Sequence, residues 1–343
     1  MLLSAIVVGF TLTSCTKTEV QPKGEFENGT FVSNEGAFTK SNASVSFIDS
    51  KGNVQQGIFK ATNGRDLGDV LQSMTIADEK AYLVVNNSNK IEIVDAYTFK
   101  EDGVISDLQK PRYIIKVKNK LYVTQHGNNS VAVLDANSLN TLSTVPVGAS
   151  PEGLLEANND VWVANGGWGY GTSVSVINTD DNTESKVQLG ADFPIQMVED
   201  AEGDVWVLCS GKVIYDVNWA PIGHTPSKLV EVDASSKSIK KTIELSVTKH
   251  YNKLAISNDG KSIYYTGGMG SEGIFKLSTS DNSAPSSAFI TGSFNGLSLD
   301  GKYIYSTIAP DYVSNGSMKK YDTTGKEVAT YEVNIAPNGV VFN

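Results

Sequence analysis

Leu121-Tyr122-Val123-Thr124, His126-Gly127-Asn128-Asn129 and Val131-Ala132-Val133-Leu134-Asp135 decide how this chain is read. Two short alternating runs flank a polar Gly-Asn loop, and an aspartate closes the second run, which is the signature of two paired strands. The pattern returns at a period of about 40 residues, the spacing at which strand-built repeats form propeller blades. Clear copies are Lys80 to Asn86 with Ile91 to Asp95, Val161 to Asn165 with Val174 to Asn178, and Val205 to Leu208 with Leu229 to Asp233. Weaker copies are Thr30 to Asn34 with Val45 to Asp49, Ile263 to Thr266 with Ile274 to Leu277, and Tyr303 to Ser306 with Met318 to Asp322. A lone small sheet cannot bury both faces, so the seven copies predict an all-β, seven-bladed β-propeller.

A third apolar run precedes each pair except the first: Met74 to Ala77, Tyr113 to Ile115, Gly153 to Leu155, Gln196 to Val198, Leu254 to Ile256 and Gly296 to Leu299. The chain ends on an unpaired run of the same kind, so strand 338–342 is expected to join the first blade and close the ring. Closure removes free sheet edges that invite aggregation. Pro111, Pro151, Pro194 and Pro337 stand just before inner strands, where a missing N–H costs the ladder little. Asp49, Asp95, Asp135, Asp233 and Asp322 follow the third strand, where a short carboxylate caps a turn. Their repetition at one position marks them as structural.

With 343 residues, a formal charge of −10 and a repeat along nearly the whole length, one acidic domain is expected. Nucleic acid is not an expected partner, since it needs a basic footprint. Leu2 to Leu12 is apolar and of signal-peptide length, and it runs into Leu12-Thr13-Ser14-Cys15, which resembles a bacterial lipobox. The expected organisation is therefore a signal peptide at 1–14, a lipidated Cys15 with a polar tether at 15–28, and the propeller at 29–343. No Lys or Arg precedes the apolar run. Cys209, inside a strand, reads as a small buried hydrophobe.

No nucleophile elbow, zinc-protease helix motif, phosphate loop or paired metal-spaced cysteines occur, and three histidines are too few for a histidine-rich metal site. No catalytic residue, metal or cofactor of its own is expected. The loops between second and third strands, and those entering inner strands, should open on one face. In the fifth blade, 213–227 is enlarged and carries Tyr215, Trp219 and His224. Such insertions sit on binding faces. The expected rim residues are Trp168, Tyr170, Trp219, His224, Arg65, Arg112, Tyr113, His126, Asn128, Tyr251 and Tyr312. Gly167-Trp168-Gly169 is the sharpest signal, because an indole on a glycine loop has a solubility cost and little structural return. An aromatic and amide rim suits a large, partly planar ligand. Half of all loops share this face by topology, and Gly-Asn loops turn well without any ligand.

Tyr122-Val123-Thr124-Gln125 with Asn129-Ser130-Val131-Ala132-Val133-Leu134-Asp135 resembles the YVTN-type repeat of YncE-like propellers. With the lipobox, Phe31-Val32-Ser33-Asn34-Glu35-Gly36, Asp66-Leu67-Gly68-Asp69-Val70, Tyr82 to Glu92 and Val161 to Gly167 resemble surface propeller lipoproteins of Bacteroidota, among them the cobalamin-capturing BtuG type. The resemblance implies an outer-membrane, lipid-anchored, outward-facing protein that binds a corrinoid-like nutrient and delivers it to a TonB-dependent transporter. Two other readings stand beside it. One is a metal-dependent lactonase or lyase using Glu152, Glu35 and Asp66; the other is an adhesive propeller that binds protein or glycan.

Overall fold

Alternation within each run sends successive side chains to opposite blade interfaces. In the third blade, Leu121, Val123, Ala132 and Leu134 pack with Tyr82, Val84, Ile91 and Ile93 of the second. Tyr122, Val131 and Val133, one residue out of phase, pack with Val161, Val163 and Ile177 of the fourth. Repeated around the chain, this arrangement gives the computed structural model, which describes residues 22–268 and 271–343, seven four-stranded antiparallel sheets in a ring.

The ring closes as the repeat predicts. Pro337–Phe342 pairs with Thr30–Asn34, setting Phe31 opposite Val341 and Val32 opposite Val340. The closing strand starts one residue earlier than expected. Pro111, Pro151, Pro194 and Pro337 each open an inner strand, whose far edge faces the axis and needs no donor. Asp135 Oδ1 accepts the backbone N–H groups of Asn137 and Ser138 at 3.0 and 2.7 Å. Asp95 and Asp233 do the same one blade before and two after. Hydrogen bonds from Ser236 and Ser235 hold the Asp233 carboxyl down at about 2.

Trp162 and Trp206 are fully buried between blades. Trp206 Nε1 donates to Asp200 Oδ2 at 2.8 Å. Cys209 is buried, and burial pushes its thiol far up, so it is unreactive. The outermost strands, such as Thr141–Pro146 and Glu184–Gln188, are mostly exposed and carry no strong apolar pattern. In the first blade the outer strand shrinks to Val54–Gln55, and the chain continues into a short helix, Ile58–Asn63, whose Ile58 and Phe59 are buried.

Cys15 and the expected signal peptide lie outside the described residues. The expected tether gives way, over its described end, to a docked segment. Phe26 is buried against Phe47 and Phe99 at 5.1 and 5.7 Å between ring centroids, and its N–H donates to Tyr97 O. A lone phenylalanine in a polar stretch carried the signal for this. Among the described residues no helix is long and apolar enough to cross a membrane.

Candidate functional site

The two loop types meet on one face and are tied together there. The residue ending the second strand region donates to the residue leading into the same blade's inner strand: Asn86 to Val70 O, His126 to Lys110 O, Gly166 to Ser150 O and Ser210 to Phe193 O. In the first blade the donor is Glu35 and the acceptor Ala336 O. These bonds fix the height of the loops in the first five blades; in the sixth and seventh the direction reverses, with Asn252 donating to Thr266 O and Asn295 to Thr307 O.

On that rim a cleft of about 510 Å3 lies between the fourth, fifth and sixth blades, lined by Trp168, Tyr170, Phe193, Lys212, Tyr215, Trp219 and His250 among others. Gly167, Trp168 and Gly169 all take positive φ, of 58°, 53° and 91°. For a tryptophan that conformation is strained, so the loop holds the indole up at a cost. Trp168 is 72% exposed, Tyr170 78% and Trp219 81%, a density of bare aromatic surface that a monomeric fold does not need. The fifth-blade insertion is a hairpin, Lys212–Tyr215 paired with Pro221–Thr225. Asp216 Oδ1 caps its tip by accepting Asn218 and Ala220 N–H, and Trp219 leans toward Tyr215. Lys212 Nζ sits 4.7 Å over the Tyr170 ring. A neighbouring cavity of about 480 Å3 shares Asn252 and Gly268 with the cleft and is lined by Phe294, Asn295 and Tyr312. There the Tyr312 hydroxyl donates to Asn295 Oδ1 at 3.0 Å.

Beneath the rim, register shifts at the tops of the inner strands turn single residues inward: Gln72, Arg112 and Glu152 each fall within one. Arg112 Nε and Nη2 donate to Glu152 Oε2 at 3.0 and 2.9 Å, and Nη1 donates to Gln72 Oε1. His126 Nε2 lies 3.0 Å from Glu152 Oε1, close enough for charge attraction but outside hydrogen-bond alignment. Burial raises the Glu152 pKa, yet the Arg112 charge and His126 together outweigh it and hold the carboxyl below its ordinary range. His126 also meets the edge of Trp168, at 5.0 Å between centroids. Asn338 completes the network, donating to Glu35 Oε1, Leu71 O and Gln72 O.

Trp168, Tyr170 and Trp219 thus line one cleft, whereas His224 is joined to it through His250, His126 meets Trp168, and Arg112 belongs to the network beneath the rim. Tyr113 follows Arg112 on the inner strand and is half-buried. Asn128 is exposed and accepts from Ser130 Oγ at 2.7 Å, closing its own turn. Two expectations are corrected. Tyr251 is buried, packed edge-on against Tyr265 and Phe275, and belongs to the core. Arg65 is drawn to the flank, where Nη1 and Nη2 bind Glu92 at 2.8 Å each and its guanidinium covers Phe59. An arginine goes where buried carboxylates are, and Glu92 is almost fully buried. Asp66 follows Arg65 to the flank and pairs with Lys60.

Lys212, Gln72 and Asn338 were not expected at the site. A local signal existed for part of the network: Arg112, Glu152 and Asn338 each directly follow a proline that opens an inner strand. Among the described residues one acidic trio, Asp200, Glu202 and Asp204, lies within mutual metal-ligand reach. The Asp200 oxygens are already engaged by the backbone turn and Trp206, and Asp204 Oδ2 by Lys240, which leaves only the exposed Glu202 carboxylate uncommitted.

The fold and cleft define a seven-bladed propeller with an aromatic loop-face site. A family described as a domain of unknown function (DUF5074) matches residues 28–335, and the chain belongs to it. No curated protein sequence matches the chain. Among solved structures, a candidate 6-phosphogluconolactonase from Bacteroides fragilis is similar at TM-score 0.66 and 11% identity, over 92% of this chain and 98% of its own. Streptogramin B lyase is similar at TM-score 0.57 and 15% identity, over 78% of this chain and 85% of its own. Dihydro-heme d1 dehydrogenase NirN in complex with DHE is similar at TM-score 0.56 and 10% identity, over 94% of this chain and 78% of its own. At such identities the likeness establishes the fold alone.

Proposed function

We propose that this propeller is a binding protein that holds a bulky, partly planar ligand against Trp168, Tyr170 and Trp219, and that a corrinoid is the ligand class to test first. The observation that carries the reading is the cleft itself, with three strongly exposed aromatic rings presented on a strained glycine loop and a capped hairpin. Ring faces bury apolar area at small entropy cost, while Lys212 and Asn252 supply polar contacts at the wall. The lipobox at Cys15 and the resemblance to surface propeller lipoproteins extend the proposal to an outer-membrane anchor and delivery to a TonB-dependent transporter. A propeller of similar shape, NirN, has been seen in complex with DHE.

A metal-dependent hydrolytic site fits the residues less well. Glu152 is committed to Arg112, Asp66 stands on the flank with Lys60, and Glu35 accepts from Asn338. The three carboxylates form no common ligand set.

Titration calorimetry of the purified chain with cyanocobalamin, and with dicyanocobinamide as the form lacking the nucleotide loop, tests the proposal. Micromolar or tighter binding supports it, and a flat trace with both withdraws the corrinoid. The double variant Trp168→Ala, Trp219→Ala should weaken capture more than tenfold, or more than about 1.4 kcal/mol, with an unchanged melting profile. Unaltered affinity would remove these rings from the site.

A further inference from the structure

The side chains of the cleft are weighted toward hydrogen-bond donors. Among the described residues its lining holds a single formally charged side chain, Lys212, and no carboxylate, in a chain of net charge −10. Trp168 and Trp219 add one indole N–H each, a group that donates and cannot accept. His250 has both ring nitrogens engaged, Nδ1 by Ser210 O at 2.9 Å and Nε2 by His224 Nδ1 at 3.0 Å. Asn252 turns its Oδ1 into the structure against Gly267, where it is buried.

Lys212 opens the fifth-blade hairpin, and its backbone is fixed there: its N–H donates to Thr225 Oγ1, and the Gly211 N–H to Asp192 O, both at 3.0 Å. The stem lies beside the tryptophan loop, since a Cβ placed on Gly169 would stand 3.6 Å from Lys212 Cβ. The side chain is only 26% exposed, and the acid nearest Nζ is Asp192, at 3.6 Å. That separation allows charge attraction but exceeds a normal hydrogen bond. Among the described residues Nζ donates to no protein acceptor, and its close neighbour is the face of Tyr170 at 4.7 Å. The ring holds the cation in position. An ammonium mostly covered by an aromatic wall, with three N–H groups to satisfy, still favours an acceptor that reaches it from the cleft.

We infer that Lys212 is the anion-recognising residue of this cleft, and that the ligand carries a phosphate group beside its planar body. The donor-only side chains come singly, from the glycine loop, the base of the hairpin and its tip. Single donors from separate elements suit a tetrahedral oxyanion, whereas a planar carboxylate is matched by an arginine fork, which is absent from the described lining. The inference rests on the binding reading above and deepens it, from a planar ligand to a planar phosphate-bearing one.

Titration calorimetry of the full chain with two matched pairs tests this: dicyanocobinamide phosphate against dicyanocobinamide, and flavin mononucleotide against riboflavin. Within each pair only the phosphate differs. In any pair that binds, the phosphate-bearing member should bind at least about tenfold more tightly. Lys212→Met keeps the stem and removes the charge, so the preference should fall to within about twofold, with an unchanged melting profile. Lys212→Arg should keep the preference. Added salt should weaken the phosphate-bearing member more than its neutral counterpart. Equal affinities within a pair, or a preference that survives Lys212→Met, would overturn the inference while leaving the binding reading in place. Failure of all four compounds to bind would overturn both.

Discussion

A chain ended after Ala336 should lose its cooperative fold rather than a single strand. Pro337–Phe342 is the innermost strand of the first blade, and its polar groups tie three blades together. Thr307 Oγ1 and Asn295 Nδ2 of the seventh blade region donate to Pro337 O, and Ser298 Oγ donates to Val340 O. Ser33 Oγ donates to Asn338 Oδ1 at 2.6 Å, while Asn338 Nδ2 reaches Leu71 O and Gln72 O of the second blade. Each bond contributes about 1 kcal/mol, but the buried partners left behind cost about 1–3 kcal/mol apiece. Over the six bonds named the penalty alone is about 6–18 kcal/mol, comparable with the roughly 5–15 kcal/mol by which domains are stable. The truncated chain also exposes the edge of Thr30–Asn34, so aggregation should accompany unfolding. Thermal melting by circular dichroism, with light scattering, checks this. A cooperative melt within about 2 °C of the full chain, for a change expected to be many times the 1 kcal/mol worth a few degrees, would show that closure is dispensable.

The ring was legible because its cause is local. Tyr122 and Val123 alternate along the chain, and the alternation alone assigns them to opposite interfaces. Outer strands such as Glu184–Gln188 were less legible, since an exposed edge strand imposes no apolar pattern. The aromatic group at Trp168 and Trp219 could be read for a similar reason: exposure of an indole between glycines has no packing explanation. Arg65 and Tyr251 resembled rim residues by loop position, yet Glu92 and the Tyr265–Phe275 pair claimed them. Those partners lie 27, 14 and 24 residues away on other strands, and nothing near Arg65 or Tyr251 in the sequence announces them. Arg112 and Glu152 are 40 residues apart, one full blade, and meet only because both inner strands shift register at the same height.

That pair sets the other large effect. Glu152→Ala should destabilise the propeller by about 3 kcal/mol, the low end for breaking a buried pair, because it strands a guanidinium that is mostly but not fully buried. Arg112 would retain Gln72 alone, and His126 would face a void where the carboxylate stood. Replacing both partners with apolar side chains, Arg112→Met with Glu152→Leu, should cost much less, since no unpaired charge remains. The sign of the pH dependence follows from the carboxyl being held below its ordinary range. A depressed folded pKa gives stability that is fully present above the unfolded value, about 4.3, and is lost as pH falls through the folded one. Below both, Glu152 is protonated in either state and this stabilising contribution is gone. Urea unfolding at neutral pH should therefore separate wild type from Glu152→Ala widely, and the gap should narrow as the acid limb is descended. A gap that stayed constant into acid would assign the loss to packing alone, with the Arg112 charge already satisfied by Gln72.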